Sequence, residues 1–162
     1  MDIEEVYKKY FVYVYRYLVS VSDDKHLAEE LTQETFFKAL KKADSYRGEA
    51  TVQSWLCQIA KNLYLDHMRK RSRFSYQEIG EADPDEKCFE KRLEDKEEAR
   101  KIYRILHNLE EPYKEVFSLR VFGELPFREI SDLFSKSESW AKMTYLRARK
   151  KIQEELHHED HM

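Results

Sequence analysis

The sequence predicts an all-α fold of two small helical domains, an N-terminal helical bundle and a C-terminal helix-turn-helix domain, joined by a flexible acidic linker. Apolar residues recur at helical spacing through most of the chain. The 162 residues include three glycines, so tight turns are few. One acidic stretch loses the helical period and contains Gly80 and Pro84. The predicted boundaries are residues 1–72 for the first domain, 73–92 for the linker, 93–157 for the second domain and 158–162 for a tail.

Three helices make up the predicted first domain. The first runs from Ile3 to Val21 with its apolar residues on one broad face. Capping residues from Ser22 to Asp24 precede a second helix from about Lys25 to Ala43. After a polar loop, a third helix starts near Thr51 and ends in the basic run 69–71. This order of amphipathic helices predicts a small bundle.

The last third of the chain has the pattern of a helix-turn-helix. A short helix between Pro126 and Phe134 is followed by a polar turn, and a strongly basic second helix begins near Ser137. An element of this kind places its second helix in the major groove of DNA. The pattern therefore predicts a nucleic-acid partner rather than a catalytic site.

The charges are segregated along the chain, although the formal net charge is only −3. Residues 61–73 hold five cations and one acid, and residues 136–151 hold six cations and one acid. Between them, residues 77–98 carry ten acids. Two basic segments separated by an acidic linker are typical of two nucleic-acid-binding domains.

Several function classes are excluded by what the sequence lacks. No serine or cysteine nucleophile motif and no glycine-rich phosphate loop occurs, so we expect no enzyme, no catalytic residue and no cofactor. Cys57 lies in an apolar helical run and is interpreted as a buried side chain. The histidines from His157 to His161 lack a second ligand cluster, so we expect an exposed, frayed tail and no metal. No signal or membrane-spanning segment is found, which predicts a cytoplasmic protein that does not insert into membranes.

Two motifs of the first domain allow more than one interpretation. Glu30, Gln33 and Glu34 share a helical face, which by itself is typical of a solvated surface. The third helix is rich in aromatic residues and leads into a cationic end, the combination by which proteins bind single-stranded nucleic acid. Alternatively, Trp55 and Tyr64 belong to the core.

Three blocks together resemble bacterial sigma factors of the extracytoplasmic-function class, which are short, two-domain members of the sigma-70 family. They are Ala-Glu-Glu-Leu-Thr-Gln-Glu-Thr-Phe from residue 28, Trp-Leu-Cys-Gln-Ile-Ala-Lys-Asn from residue 55, and a C-terminal module that ends in Arg-Ala-Arg-Lys-Lys-Ile. The resemblance covers nearly the whole chain. It implies a protein that binds RNA polymerase core and directs promoter recognition and transcription initiation.

The resemblance also implies roles for three sets of residues. The polymerase-binding set would dock on the clamp coiled coil of the largest polymerase subunit, and it consists of Glu30, Gln33, Glu34 and Phe37. The −10 set would capture a flipped base and hold the phosphates of the opening strand, and it consists of Lys61, Asn62, Asp66, Arg69, Lys70 and Arg71. The −35 set would face the duplex, and it consists of Ser139, Lys142, Met143, Leu146, Arg147 and Arg149. Further implied partners are the flap of the second-largest subunit, promoter DNA and an anti-sigma factor that holds the protein inactive.

The second domain departs from the family pattern at four positions. Ser135 stands where a turn glycine is usual, Lys136 where an apolar residue is usual, Trp140 where threonine is common, and Thr144 where arginine is frequent. The promoter sequence is therefore not inherited from the resemblance. Trp140 is either a core anchor between two helices or a contact to the duplex, and Lys142 either reads a guanine or holds a phosphate.

Two other functions fit parts of the sequence. A helix-turn-helix regulator would bind an operator without polymerase core, and an adaptor would keep only degenerate DNA-binding surfaces. The departures in the turn favour the adaptor slightly. An operator-binding regulator has no need for the acidic helix of the first domain together with its aromatic and basic third helix, so the sigma-type function is preferred.

Overall fold

A computed structural model describes residues 1–73 and 97–160, which contain no strand. The structure has seven α-helices over these ranges: α1 (Ile3–Ser22), α2 (Lys25–Lys42), α3 (Val52–Arg73), α4 (Glu97–His107), α5 (Tyr113–Val121), α6 (Phe127–Phe134) and α7 (Glu138–Asp160). A short 3-10 helix covers Ala43–Ser45. The predicted all-α fold is confirmed. The predicted linker from residue 74 onward and the last two residues of the predicted tail lie outside the described residues.

Side-chain caps start the helices of the first domain where the sequence places capping residues. The Asp24 carboxylate accepts a hydrogen bond from the Leu27 N–H at 3.0 Å, at the start of α2. The Thr51 hydroxyl accepts one from the Ser54 N–H at 3.1 Å, at the start of α3. Between α1 and α2, Asp23 adopts the left-handed conformation with φ of 52°. Side-chain caps such as those of Asp24 and Thr51 stabilise a helix by about 1 kcal/mol each.

Helices α1, α2 and α3 pack around one apolar core. Tyr17, Leu18 and Leu56 are fully buried there. The Tyr64 hydroxyl donates to the Val21 carbonyl at 3.0 Å, so its polar atom is satisfied inside the bundle. Burial raises the pKa of the Cys57 thiol to about 12, which keeps the sulfur in its unreactive protonated form.

The second domain has an apolar cluster of its own between α4, α5 and α7. Ile105, Leu106, Phe117, Ala148 and Ile152 are buried there. Leu156 continues the four-residue spacing of the α7 contacts and packs on the same cluster. Because of this packing α7 continues to Asp160, so the prediction of a frayed tail is wrong for the C-terminal residues that are described.

The two domains contact each other, an arrangement that the sequence leaves open. Val116, Leu119, Leu125 and Ile130 of the second domain belong to the same buried cluster as the core of the first. The Gln53 side chain donates a hydrogen bond to the Gly123 carbonyl across the contact. The surfaces that meet are thus mainly apolar.

The described residues include neither a membrane-spanning helix nor a cluster that could hold a metal ion. No helix in the ranges 1–73 and 97–160 is long and apolar enough to cross a membrane. In the same ranges, no group of three or more His, Cys, Asp or Glu side chains is placed to hold a metal ion.

Candidate functional site

Helix α2 exposes the whole polymerase-binding set on one face. Glu30, Gln33, Glu34 and Phe37 are all exposed, whereas the residues between them that face the bundle are buried. Helical spacing produces this division, since positions three and four apart share a face. The four side chains line an open groove of about 520 Å³, together with Leu27, Leu31 and His67. The structure therefore brings the predicted set together at one groove.

The buried face of α2 explains why this surface is held in place. Thr32 and Thr35 are fully buried, and each hydroxyl donates to the carbonyl four residues earlier at 2.6 Å. Their polar atoms are thus satisfied within the helix itself. Phe36 is 4% exposed, stacks with Phe11 and meets Tyr7 edge to face, whereas its neighbour Phe37 is 55% exposed.

The groove contains one residue that the sequence analysis missed. His67 of α3 lines it opposite the acids of α2. The signal available in the sequence was its place next to the predicted Asp66 on the same helix. Phe37 also has a cationic neighbour, because the Lys41 ammonium lies 4.4 Å from the centre of its ring. The groove therefore combines two carboxylates, an amide, an imidazole and an apolar ring.

Most of the −10 set lies exposed or half-buried along the second half of α3. Asn62, Arg69, Lys70 and Arg71 are exposed, and Asp66 is half-buried. The Gln58 amide donates to the Asn62 side-chain oxygen at 3.2 Å. Arg69 pairs with Asp66 one turn earlier. Asn62, Asp66 and Arg69 share one face of α3 at helical spacing, and the exposed Lys70 and Arg71 surround the end of the helix.

Lys61 differs from the rest of the −10 set because it is buried. Only 8% of the residue is exposed. Its ammonium lies 3.9 Å from Glu115 Oε2 of the second domain and 3.8 Å from the centre of the Phe134 ring. A phosphate cannot reach Lys61 in this arrangement of the domains, so the structure separates this residue from the other members of the set.

Glu115 is itself a buried acid with partners on two helices of the first domain. The Tyr17 hydroxyl donates to Glu115 Oε1 at 3.2 Å, and Lys61 faces the other oxygen. Burial raises the pKa of the Glu115 carboxyl, and Lys61 opposes that shift. Burial, followed by the charge of Glu115, raises the pKa of the Tyr17 phenol well above its ordinary value.

The helix-turn-helix is formed by α6 and α7. Ser135 adopts the left-handed conformation at φ of 55°, and the Lys136 N–H donates to the Ser131 carbonyl at 2.9 Å. The Ser137 hydroxyl then accepts from the Trp140 N–H at 3.0 Å and caps α7. The turn that a glycine usually makes is thus formed by a serine.

Helix α7 divides its residues between core and solvent with little overlap. Ala141, Thr144 and Ala148 are buried against the domain. Trp140 packs its ring 5.3 Å from that of Phe134, so it braces α6 and α7 as the core interpretation predicts. All six members of the −35 set are exposed: Ser139, Lys142, Met143, Leu146, Arg147 and Arg149.

A second groove lies in the C-terminal domain between α4 and α7. Its volume is about 470 Å³, with Ile105 and Leu109 among its lining residues. Charged residues surround this apolar floor, and Lys151 lies 3.6 Å from Glu110. The groove is thus mainly polar, with two apolar residues among its eight lining residues.

Two family models match the chain, one in each domain. Sigma-70 region 2 matches residues 6–74, and Sigma-70 region 4 matches residues 99–152. Among curated relatives, the ECF RNA polymerase sigma factor SigM of Bacillus subtilis is 33% identical, over 94% of this chain and 93% of its own length. The RNA polymerase sigma factor YlaC of the same organism is 27% identical, over 96% of this chain and 92% of its own length.

Solved structures share the fold. The sigma factor RpoE of Bartonella quintana, in complex with the anti-sigma factor NepR, is 21% identical with a TM-score of 0.75, over 96% of both chains. CnrH, in complex with the cytosolic domain of CnrY, is 19% identical with a TM-score of 0.70, over 95% of this chain and 86% of its own. Because two family models cover most of the chain and a relative matches along nearly its full length, this chain belongs to the extracytoplasmic-function class of sigma-70 RNA polymerase sigma factors.

Proposed function

We propose that this chain binds RNA polymerase core through the groove on α2 and directs it to promoters whose −10 and −35 elements contact α3 and α7. The observation that carries the proposal is the exposure of Glu30, Gln33, Glu34 and Phe37 on one face. Phe37 is 55% exposed beside two acids and an amide, so this face offers a partner an apolar contact and charged contacts together.

Promoter recognition rests on the two basic surfaces. Exposed cations of α3 lie about two turns or more beyond Asn62 on the same helix, and the Asn62 amide can hydrogen-bond to an unstacked base. On α7, exposed cations alternate with exposed Met143 and Leu146, which suits contacts to phosphates and to base edges in a major groove. Unstacking a base costs a few kcal/mol, and the base contacts and phosphate contacts together offset it.

The proposal extends to the partners and the setting. The groove between α4 and α7 would accept the flap of the second-largest polymerase subunit. An anti-sigma factor would hold the protein inactive. RpoE has been solved in complex with the anti-sigma factor NepR, and CnrH in complex with the cytosolic domain of CnrY. The protein would act in the cytoplasm and would supply binding energy rather than catalysis, so its own residues perform no chemical step.

Co-purification with bacterial core RNA polymerase tests the first step. We expect the wild-type chain to bind and the Gln33→Ala, Glu34→Ala double variant to bind about 30-fold more weakly, since centrally placed interface residues cost 2 kcal/mol or more when truncated. A matched control is the Glu4→Ala, Glu5→Ala variant, which removes two exposed acids of α1 outside the groove. If no variant and no wild type binds polymerase, but all bind duplex DNA, an operator-binding regulator replaces this proposal.

A further inference from the structure

The contact between the two domains encloses a small charged cluster within an apolar surface. Lys61 is 8% exposed and Glu115 is 7% exposed, although both carry charged groups. Around them, Val116, Leu119 and Ile130 of the second domain are fully buried in one cluster with the core of the first. Charged side chains are seldom buried to this extent unless they are paired.

Each polar group of this cluster has a partner in the other domain. Glu115 Oε1 accepts from the Tyr17 hydroxyl at 3.2 Å, and Glu115 Oε2 lies 3.9 Å from the Lys61 ammonium. The ammonium also lies 3.8 Å from the centre of the Phe134 ring, a favourable position for a cation. Residues 17, 61 and 115 come from three different helices, so the cluster exists only when the domains are in contact.

We propose that the free chain closes its two domains on each other, with the Lys61–Glu115–Tyr17 cluster as the latch, and that closure withholds Lys61 from DNA. The second half of this proposal rests on the proposed function, because only a DNA-binding protein needs Lys61 for a phosphate. The latch itself is independent of DNA.

The two states compete for one cation. In the closed state Lys61 neutralises Glu115, and in the open state the same ammonium is available to a phosphate of the −10 strand. Removal of either partner of a buried ion pair is strongly unfavourable, because it leaves the other charge buried and unpaired. Meanwhile Arg69, Lys70 and Arg71 stay exposed about two to three turns further along α3, so DNA can be attracted before the latch opens.

The rate at which Lys61 is acylated reports directly whether the latch is closed. The full-length chain is treated with a trace of an N-hydroxysuccinimide ester of acetic acid, and the rates at individual lysines are followed by mass spectrometry. Lys70 is the internal reference because it is exposed on the same helix. In the wild type we expect Lys61 to react at least about tenfold more slowly than Lys70, since an enclosed ammonium reacts only when the domains separate. Equal rates would overturn the proposal.

Three variants separate the latch from general effects of charge. Glu115→Arg places two cations together and should raise the Lys61 rate to that of Lys70. Asp132→Arg makes the same change of charge at an exposed position of the same domain, outside every proposed binding surface, and should leave Lys61 protected. Tyr17→Phe keeps the ring and removes one hydrogen bond to a charged group, so it should raise the Lys61 rate about fivefold even if Glu115→Arg fails to fold.

Binding of a labelled single-stranded oligonucleotide with a −10-like sequence tests the second half. We expect Glu115→Arg to bind more tightly than Asp132→Arg, because both add the same charge but only the first releases Lys61. Equal affinity of these two variants, with Lys61 released in one of them, would refute the claim that closure withholds Lys61. A further outcome separates the two proposals. If neither the wild type nor any variant binds DNA or polymerase, while Lys61 is protected in the wild type and released in Glu115→Arg, the proposed function is refuted and the latch is supported.

Discussion

Phe36 and Phe37 are adjacent and chemically identical, yet they face opposite sides of α2. Phe36 is 4% exposed, and its ring lies 5.1 Å from that of Tyr7 and 6.3 Å from that of Phe11. Phe37 is 55% exposed and contacts Lys41 at the edge of the groove. Replacing each by alanine in turn therefore compares a folding role with a binding role under the same chemical change.

The burial of each side chain sets the expected changes in the free energy of unfolding and in the affinity for polymerase. Phe36→Ala removes a buried aromatic side chain from a packed core and should lower the free energy of unfolding by about 3–5 kcal/mol. Phe37→Ala removes a ring that is largely in water in the free protein, so the loss should be about 1 kcal/mol or less. In the polymerase complex, truncation of an aromatic residue at a groove should cost about 2 kcal/mol or more, which is about a 30-fold weaker affinity.

Urea unfolding followed by circular dichroism gives the first quantity, and titration with core RNA polymerase gives the second. The reasoning requires that Phe37→Ala keeps a near-wild-type unfolding midpoint while it loses polymerase binding. It would be refuted if Phe37→Ala destabilised the fold as much as Phe36→Ala, or if it bound polymerase as well as the wild type.

Two further predictions concern the turn and the domain contact. Ser135→Gly should raise the free energy of unfolding by about 0.5–1 kcal/mol, because glycine adopts the left-handed conformation without a steric penalty, and an unchanged or lower urea midpoint would contradict this. Burial raises the pKa of the Glu115 carboxyl, and the charge of Lys61 offsets only part of that shift. Protonation of Glu115 therefore weakens its pair with Lys61 but removes the larger cost of a buried charge, so its net effect favours the contact between the domains. This contribution is complete below the ordinary value of 4.5 and is lost as pH rises through the raised pKa. We therefore expect the radius of gyration from small-angle scattering to fall or stay constant between pH 7 and pH 5, and acid-induced expansion without loss of helix would contradict it. The other titratable groups around Glu115 are Tyr17, Lys61, Glu111 and Lys114.

The sequence is sufficient to predict the helices because their limits depend on neighbouring residues. Capping side chains at Asp24 and Thr51 and the break at Pro112 act within one turn of the chain, and the observed helices begin beside them. The same local rule separates the exposed and buried faces of α2 and α7. These parts of the candidate site follow from helical spacing alone.

The environment of Lys61 was not predictable in this way. Its neighbours in sequence are those of a cationic helix end, whereas the groups that surround it in space are Glu115 and Phe134, more than fifty residues away. His67 was missed for a related reason, since the groove that it lines is formed by two helices. The helical end of the chain also depends on a distant contact, that of Leu156 with the cluster between α4 and α5. Contacts between elements of distant sequence decide each of these positions.

Two of the positions at which the second domain departs from its family pattern, Trp140 and Thr144, lie in α7. Thr144 is buried and Trp140 packs on Phe134, so neither belongs to the exposed face of α7 that is proposed to contact DNA. If α7 contacts DNA as proposed, base readout depends on its exposed residues, among which Met143 and Leu146 are apolar. Apolar side chains distinguish bases mainly through the methyl group of thymine, whereas exposed cations on the same helix contact guanine or phosphate. The buried departures then act on promoter choice only indirectly, through the angle at which α6 supports α7.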